Sequence, residues 1–154
     1  MDRAEARRRF TDARVARMAT IRADRTPDLV PIVFAVEGDL VYSSVDPKPK
    51  TTRELARLRN IRAEPRVQLL VDEYSEDWRR LWWVRAAGVA RVAAAGPERD
   101  RALELLRAKY PQYSELPGDF GVAIVVEVLR WTGWEVQLWG GSVAPRSSAR
   151  RNRT

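Results

Sequence analysis

Val15-Ala16-Arg17-Met18-Ala19-Thr20-Ile21, Leu29-Val30-Pro31-Ile32-Val33-Phe34-Ala35-Val36 and Leu40-Val41-Tyr42-Ser43-Ser44 follow one another closely, parted only by short turns. In the first, Val15, Arg17, Ala19 and Ile21 alternate with Ala16, Met18 and Thr20, the period of a strand. The second is rich in β-branched residues, which suit a pleated surface. Ala23-Asp24-Arg25-Thr26-Pro27 and Glu37-Gly38-Asp39 carry the breakers of a turn and a hairpin. Three consecutive strands joined this tightly must pair antiparallel, and they set the class as mainly β. Pro31 has no N–H to give a ladder, so that point is predicted at a sheet edge or at a place where the N–H is not needed.

Outward from this stretch the period changes twice. Residues 3–11 favour a short helix anchored by Phe10. After Ser44, Leu55, Leu58 and Ile61 recur at helical spacing behind Thr51 or Thr52 as N-cap, and Pro65 closes the segment. Arg66 to Asp72 and Leu81 to Ala93 alternate as strands, with a bulge or bend predicted at Gly88. Pro97 opens a third helix, striped by Leu103 and Leu106, that ends at Tyr110-Pro111. Val122 to Leu129 and Trp131 to Trp139 read as two more strands, the second interrupted by Gly133. The expected architecture is an α+β chain dominated by a closed or nearly closed antiparallel barrel of six or seven strands, decorated with short helices. One domain over residues 1–141 and a basic, disordered tail over 142–154 are expected.

Composition narrows the chemistry. The chain has 154 residues, 45% of them apolar, and neither cysteine nor histidine. That excludes disulfide scaffolds, zinc fingers, iron–sulfur ligation, Ser-His-Asp triads and histidine general acids. No run is apolar enough to span a membrane and Met1 to Arg14 has no secretory h-region, which predicts a cytoplasmic protein. The formal net charge is +7. Six arginines face three acids in residues 1–17, and residues 145–154 hold four arginines and no acid, so the intervening body is neutral. A nucleic-acid binder more often carries its basic face on the folded body. A basic-tailed interaction protein is therefore the lesser reading, and a nucleic-acid partner is not expected.

Three stretches can carry function. In Tyr42-Ser43-Ser44-Val45-Asp46-Pro47-Lys48-Pro49-Lys50-Thr51-Thr52-Arg53 a strand ends, a proline-stiffened basic loop follows, and a helix begins. A helix N-terminus offers unpaired N–H groups and partial positive charge, and two lysines with a threonine hydroxyl complete a phosphate cradle. The same residues also fit a solvated loop before an ordinary capped helix. Arginine outnumbers lysine 25 to 3, so Lys48 and Lys50 standing two apart mark a local choice of a compact ammonium. In Trp82-Trp83 the side chains face opposite ways on a strand, one toward a core and one toward a groove or a partner, although core packing alone also accounts for them. Asp72, Glu73, Glu76 and Asp77 form an acidic loop, without metal-loop spacing, that pairs most simply with Arg79 and Arg80.

Arg17-Met18-Ala19-Thr20-Ile21, Pro27, Leu29 to Phe34, Tyr42-Ser43, Lys48-Pro49-Lys50-Thr51, Asn60-Ile61, Pro65-Arg66-Val67, Leu81 to Gly88 and Trp131-Thr132-Gly133-Trp134 together resemble the pyridoxamine 5′-phosphate oxidase-like proteins. These are split β-barrel proteins of the FMN-binding type. Within them the chain is most similar to the actinobacterial PPOX-class enzymes that use the deazaflavin coenzyme F420. The resemblance spans about residues 10–135. It implies a homodimer with two cofactor sites at the subunit interface and hydride transfer from reduced coenzyme F420 to an unsaturated small molecule. FMN in the same fold, or a carrier that binds either cofactor without turnover, is the alternative. By position, Lys50 and Thr51 match the phosphate-binding pair, Lys48 a basic residue before it, and Pro49 lies between. Ser43 matches a residue reaching the ribityl chain or phosphate. Pro31, Ile32 and Val33 match the strand along the ring, and Trp82 or Trp83 would come from the partner subunit. Arg53 and Arg57 would meet the acidic tail of coenzyme F420. The family's substrate-binding His and Arg pair is missing, which argues against a pyridoxal-type substrate. No catalytic residue is assigned; Tyr42, Tyr74 and water are the candidate proton sources.

Overall fold

The computed structural model describes residues 1–45, 52–115 and 121–137. The chain begins with α1 (Arg3–Asp12), capped by the Asp2 carboxylate, which accepts from the Glu5 N–H at 2.8 Å. Ala6 and Phe10 lie four apart on its one buried face. There follow β1 (Ala16–Ile21), β2 (Pro27–Ile32), β3 (Ala35–Glu37), β4 (Leu40–Ser44), α2 (Thr52–Ala63), β5 (Arg66–Glu73), β6 (Trp82–Ala93), α3 (Pro97–Lys109) and β7 (Ala123–Glu135). Two short 3-10 turns, Trp78–Arg80 and Pro111–Ser114, precede β6 and follow α3. The strands make one antiparallel sheet of seven, in the order β2-β1-β5-β6-β7-β4-β3. It is curled but not closed, since β2 and β3 are its two edges.

The predicted alternation on β1 holds: Ala16, Met18 and Thr20 point inward while Arg17, Ala19 and Ile21 point outward. Pro31 does lie on an edge strand, opposite Arg17. The turn after β1 places Arg25 at φ 68°, with the Asp24 carboxylate accepting from both the N–H and the hydroxyl of Thr26. Gly38, at φ 62°, takes the positive-φ position of the two-residue hairpin loop between Glu37 and Leu40.

Two elements differ from the sequence reading. Leu29 to Val36 is not one strand. The ladder breaks at Val33 and Phe34, where side chains replace it. The Ser43 hydroxyl donates to the Val33 carbonyl at 2.9 Å, and the Phe34 N–H donates to the Tyr110 hydroxyl at 3.2 Å. At the other end of the chain, Val122 to Leu129 and Trp131 onward are one strand, not two. Register with β6 runs unbroken except at Ala87/Gly88, where β7 carries one extra residue, Leu129. This bulge reverses the phase, so Ile124, Val126 and Val128 point inward before it and Trp131 after it. The irregularity predicted at Gly88 is present, with its extra residue on β7, and the glycine gives it room: a Cβ on Gly88 would stand 2.3 Å from the Glu127 carbonyl oxygen. Gly88→Ala is therefore expected to lower the unfolding free energy by about 1–3 kcal/mol, measured by urea denaturation. Gly133 does not interrupt β7 either; its missing side chain admits Met1, whose sulfur lies 2.3 Å from where a Cβ would be.

The main core fills the concave side of the sheet. Phe10 of α1 meets Phe34 at 4.9 Å and the edge of Trp131 at 5.2 Å between ring centroids. Around them pack Met18, Leu69, Val71, Val84 and Ile124. α3 covers the outer face of β3, β4 and the start of β7 through Ala102 and Leu106, with Tyr42 and Val125 beneath it. This is why β7 begins as a continuous apolar run: both of its faces are covered there. The predicted tail, 142–154, lies outside the described residues, and so does Trp139.

Candidate functional site

β2 ends where it touches three other elements. Ile32, nearly buried, pairs with Ala16 on β1. Val33 leaves the strand and packs beside Ala35, Leu106 and Tyr110. Its carbonyl takes the Ser43 proton, so the end of β2 is fixed to β4, the strand that runs into the segment 46–51 and then α2. The Tyr110 hydroxyl locks the same corner. It lies 3.0 Å from the Phe34 carbonyl and 2.9 Å from that of Arg14 while accepting from the Phe34 N–H. As an edge strand, β2 leaves the backbone groups that do not face β1 unpaired within the sheet. A flat ring with its own donors and acceptors fits such an edge.

The fold brings Pro31, Ile32, Val33 and Ser43 together. Ser43 is 3% exposed and its hydroxyl donates to the Val33 carbonyl, which holds the end of β2 against β4. Its neighbour Ser44 faces the other way, with its hydroxyl 3.3 Å from that of Tyr113. Tyr113 was missed in the sequence because it belongs to the 3-10 turn after α3, and only the fold carries it back to the end of β4. Lys48, Pro49, Lys50 and Thr51 lie outside the described residues. Arg53 lies in the first turn of α2, and its side chain is likewise outside them. α2 starts at Thr52.

Trp82 and Trp83 take opposite faces of β6, as the strand period requires. Trp82 packs on the main core, with the Arg9 guanidinium 5.4 Å from its ring. Trp83 faces outward beside Trp134, with Arg85 5.5 Å from its ring. Neither adjoins Ser43. Ile124 separates Ser43 from Val92, and Trp82 lies ten residues along β6 from Val92, about 33 Å of strand. The two tyrosines considered as proton sources are also elsewhere. Tyr42 is buried under α3, and that burial, with Glu37 and Glu98 adding to it, pushes its hydroxyl above the usual value. Tyr74 is exposed on the loop after β5. In that loop Asp77 pairs with Arg79 at 2.7 Å, while Asp72 turns to Arg17 at 3.0 Å. Among the described residues no cluster of acids is arranged to hold a metal ion.

Lys109 is the other unusual charge. Its ammonium donates to the carbonyls of Thr11 and Ala13 at 2.9 and 2.7 Å, joining the end of α1 to the end of α3, and lies 3.9 Å from the Phe34 ring centroid. Burial, with the nearby Arg14 adding to it, lowers it from the usual lysine value to about 8. Between pH 8 and the unfolded value near 10.5 the unfolded chain binds the extra proton, so stability should rise with pH there. Tyr42 and Tyr110, both pushed up by burial, act in the opposite sense above about pH 10. Urea midpoints from pH 7.5 to 9.5 are expected to climb, and Lys109→Met to flatten that climb.

Residues 3–135 match the pyridoxamine 5′-phosphate oxidase family. The chain belongs to that family. Solved structures bear out the split-barrel fold of this family member. A conserved hypothetical protein from Mycobacterium tuberculosis, Rv2991, is 21% identical, with a TM-score of 0.70 over 94% of this chain and 95% of its own. A FAD-binding protein from Mesorhizobium loti is 23% identical, with a TM-score of 0.64 over 86% of this chain and 92% of its own. The FAD binding protein from Mycobacterium smegmatis is 18% identical, with a TM-score of 0.60 over 89% and 98%. The comparison with curated proteins gave no match. Among the described residues no helix is long and apolar enough to cross a membrane.

Proposed function

We propose that this pyridoxamine 5′-phosphate oxidase family member is an oxidoreductase that takes hydride from reduced coenzyme F420 and delivers it to an unsaturated small molecule. The observation that carries this reading is the Ser43–Val33 bond. It ties the end of the open edge strand β2 to β4, the strand that residues 46–51 follow in sequence. When bound, the deazaflavin supplies the hydride. The chain would supply orientation and charge: Lys48, Lys50 and Thr51 would hold the phosphate, and the edge of β2 would meet the ring. FMN or FAD in the same place is the second reading, favoured by the two structural neighbours described as FAD-binding.

The proposal includes a homodimer. Among the described residues no helix covers the outer face of β2, β1, β5 and β6, which exposes Leu29, Leu70, Val89 and, on β7, Leu129. Ala19, Gln68 and Ala87 fill the row between them, and two shallow grooves of about 550 and 450 Å³ run over it. Charged side chains, Arg17 with Asp72 and Arg85, border this apolar strip, the anatomy of an interface with a polar rim. A second copy seated there is the route by which Trp82 or Trp83 would reach a cofactor held by the first. The test is to mix purified protein and reduced coenzyme F420 with a panel of conjugated enones, quinones and imines, following loss of the reduced coenzyme. Acceptor-dependent oxidation supports the reading. Tight binding without oxidation by any acceptor points to a carrier.

A further inference from the structure

A separate cleft of about 810 Å³ opens at the end of the barrel, between α1, the start of β1, the end of β5 and the 3-10 turn before β6. Its size is that of a small-molecule site. Six arginines and four carboxylates line it. Most of that charge is paired: Arg79 to Asp77 and Arg8 chiefly to Glu5, acids outside the lining, and Arg17 to Asp72 within it, so the available positive charge comes from two residues. Arg14 and Arg80 have no carboxylate within ion-pair distance among the described residues. Arg14 donates to the Lys109 carbonyl and lies over Tyr110, and Arg80 adds only a weaker field at Asp77.

The wall is rigid. Arg9 is held by Glu5 at 2.6 Å and Glu135 at 2.7 Å while lying over Trp82, so a flat cation–indole platform forms one side. Glu73 is the opposing charge to be avoided. Arg17 connects this cleft to the other site, since it lines the cleft and stands opposite Pro31 on the ring strand. With Asp72, Arg17 also borders the outer face proposed as the subunit seam.

We propose that this cleft binds a small planar organic anion, its carboxylate or similar group met by Arg80 and Arg14 and its flat body lying against the Arg9–Trp82 platform. Resting on the function proposed above, it is the acceptor's place, and it selects acceptors carrying a negative charge.

The experiment uses the full chain without cofactor. Binding of 2-naphthoate and of neutral 2-naphthamide is measured by calorimetry, and the six tryptophan indole N–H signals are followed by NMR, with Trp82→Phe identifying one of them. Naphthoate is expected to bind at least tenfold more tightly than naphthamide and to shift the Trp82 signal. Arg80→Gln should weaken naphthoate several-fold while leaving naphthamide unchanged, and Glu73→Gln should tighten it. The other five indole signals report whether each variant is folded. Equal affinity for the two probes, no binding of naphthoate, or a shift confined to other tryptophans overturns the proposal. Naphthoate binding as expected, in a protein that binds neither coenzyme F420 nor a flavin, keeps the anion site and removes the oxidoreductase reading. Cofactor binding without naphthoate binding does the reverse.

Discussion

Phe34→Ala is expected to lower the unfolding free energy by about 3–5 kcal/mol, the largest stability loss of any single truncation considered for this chain. Phe34 is fully buried and touches Phe10 of α1 through its ring. It also carries the Lys109 ammonium on its ring and both of its backbone polar groups on Tyr110. The cavity would open at the point where β2 leaves the sheet edge and β3 begins, so little around it can collapse inward. A domain of this size has roughly 5–15 kcal/mol in all, so the variant should be close to unfolding at 37 °C. Urea unfolding with an unchanged slope and a much lower midpoint is the expected result. Loss of less than 1 kcal/mol would mean that the corner between β2 and β4 is not held as described.

Lys50→Ala and Lys48→Ala are expected to weaken cofactor binding most among substitutions that leave the fold intact. A charge-assisted hydrogen bond to a phosphate contributes about 1.5–3 kcal/mol, so each single variant should lose roughly ten- to hundredfold in affinity. Thr51→Ala should cost only about 1 kcal/mol if the side chain acts as a helix cap. Ser43→Ala discriminates between two roles. If Ser43 positions Val33, the loss should follow the ring and persist with a cofactor analogue that lacks the phosphate; a phosphate ligand would show no such loss.

The sequence made some of this legible and hid the rest for physical reasons. Strand alternation at Ala16–Ile21 and Arg66–Glu73 is a local property, and it placed both elements to within a residue or so. Pro31 announced an edge because a missing N–H cannot sit in a central strand. The break at Val33 was invisible because it is made by Ser43 and Tyr110, 10 and 76 residues away in sequence. The unity of β7 was hidden because the bulge at Leu129 reverses its inward and outward phase, which looks locally like the end of one strand and the start of another. Ser43 and Lys48 to Thr51 could be named together as a candidate because they lie within one short stretch of sequence. Tyr113 and the arginine cleft are not legible there, because each is assembled from segments that only the folded chain brings near one another.

The most direct test of the central claim is an equilibrium titration of the purified full chain with coenzyme F420 and, in parallel, with FMN and FAD, read by tryptophan fluorescence. The account predicts saturable quenching, tighter for coenzyme F420 than for either flavin, and weakened at least tenfold by Lys48→Ala with Lys50→Ala. Tighter binding of a flavin would keep the site and replace the deazaflavin. Failure of all three to bind, or binding indifferent to both lysines, would contradict the claim that the edge of β2 and the Lys48–Thr51 segment form a cofactor site.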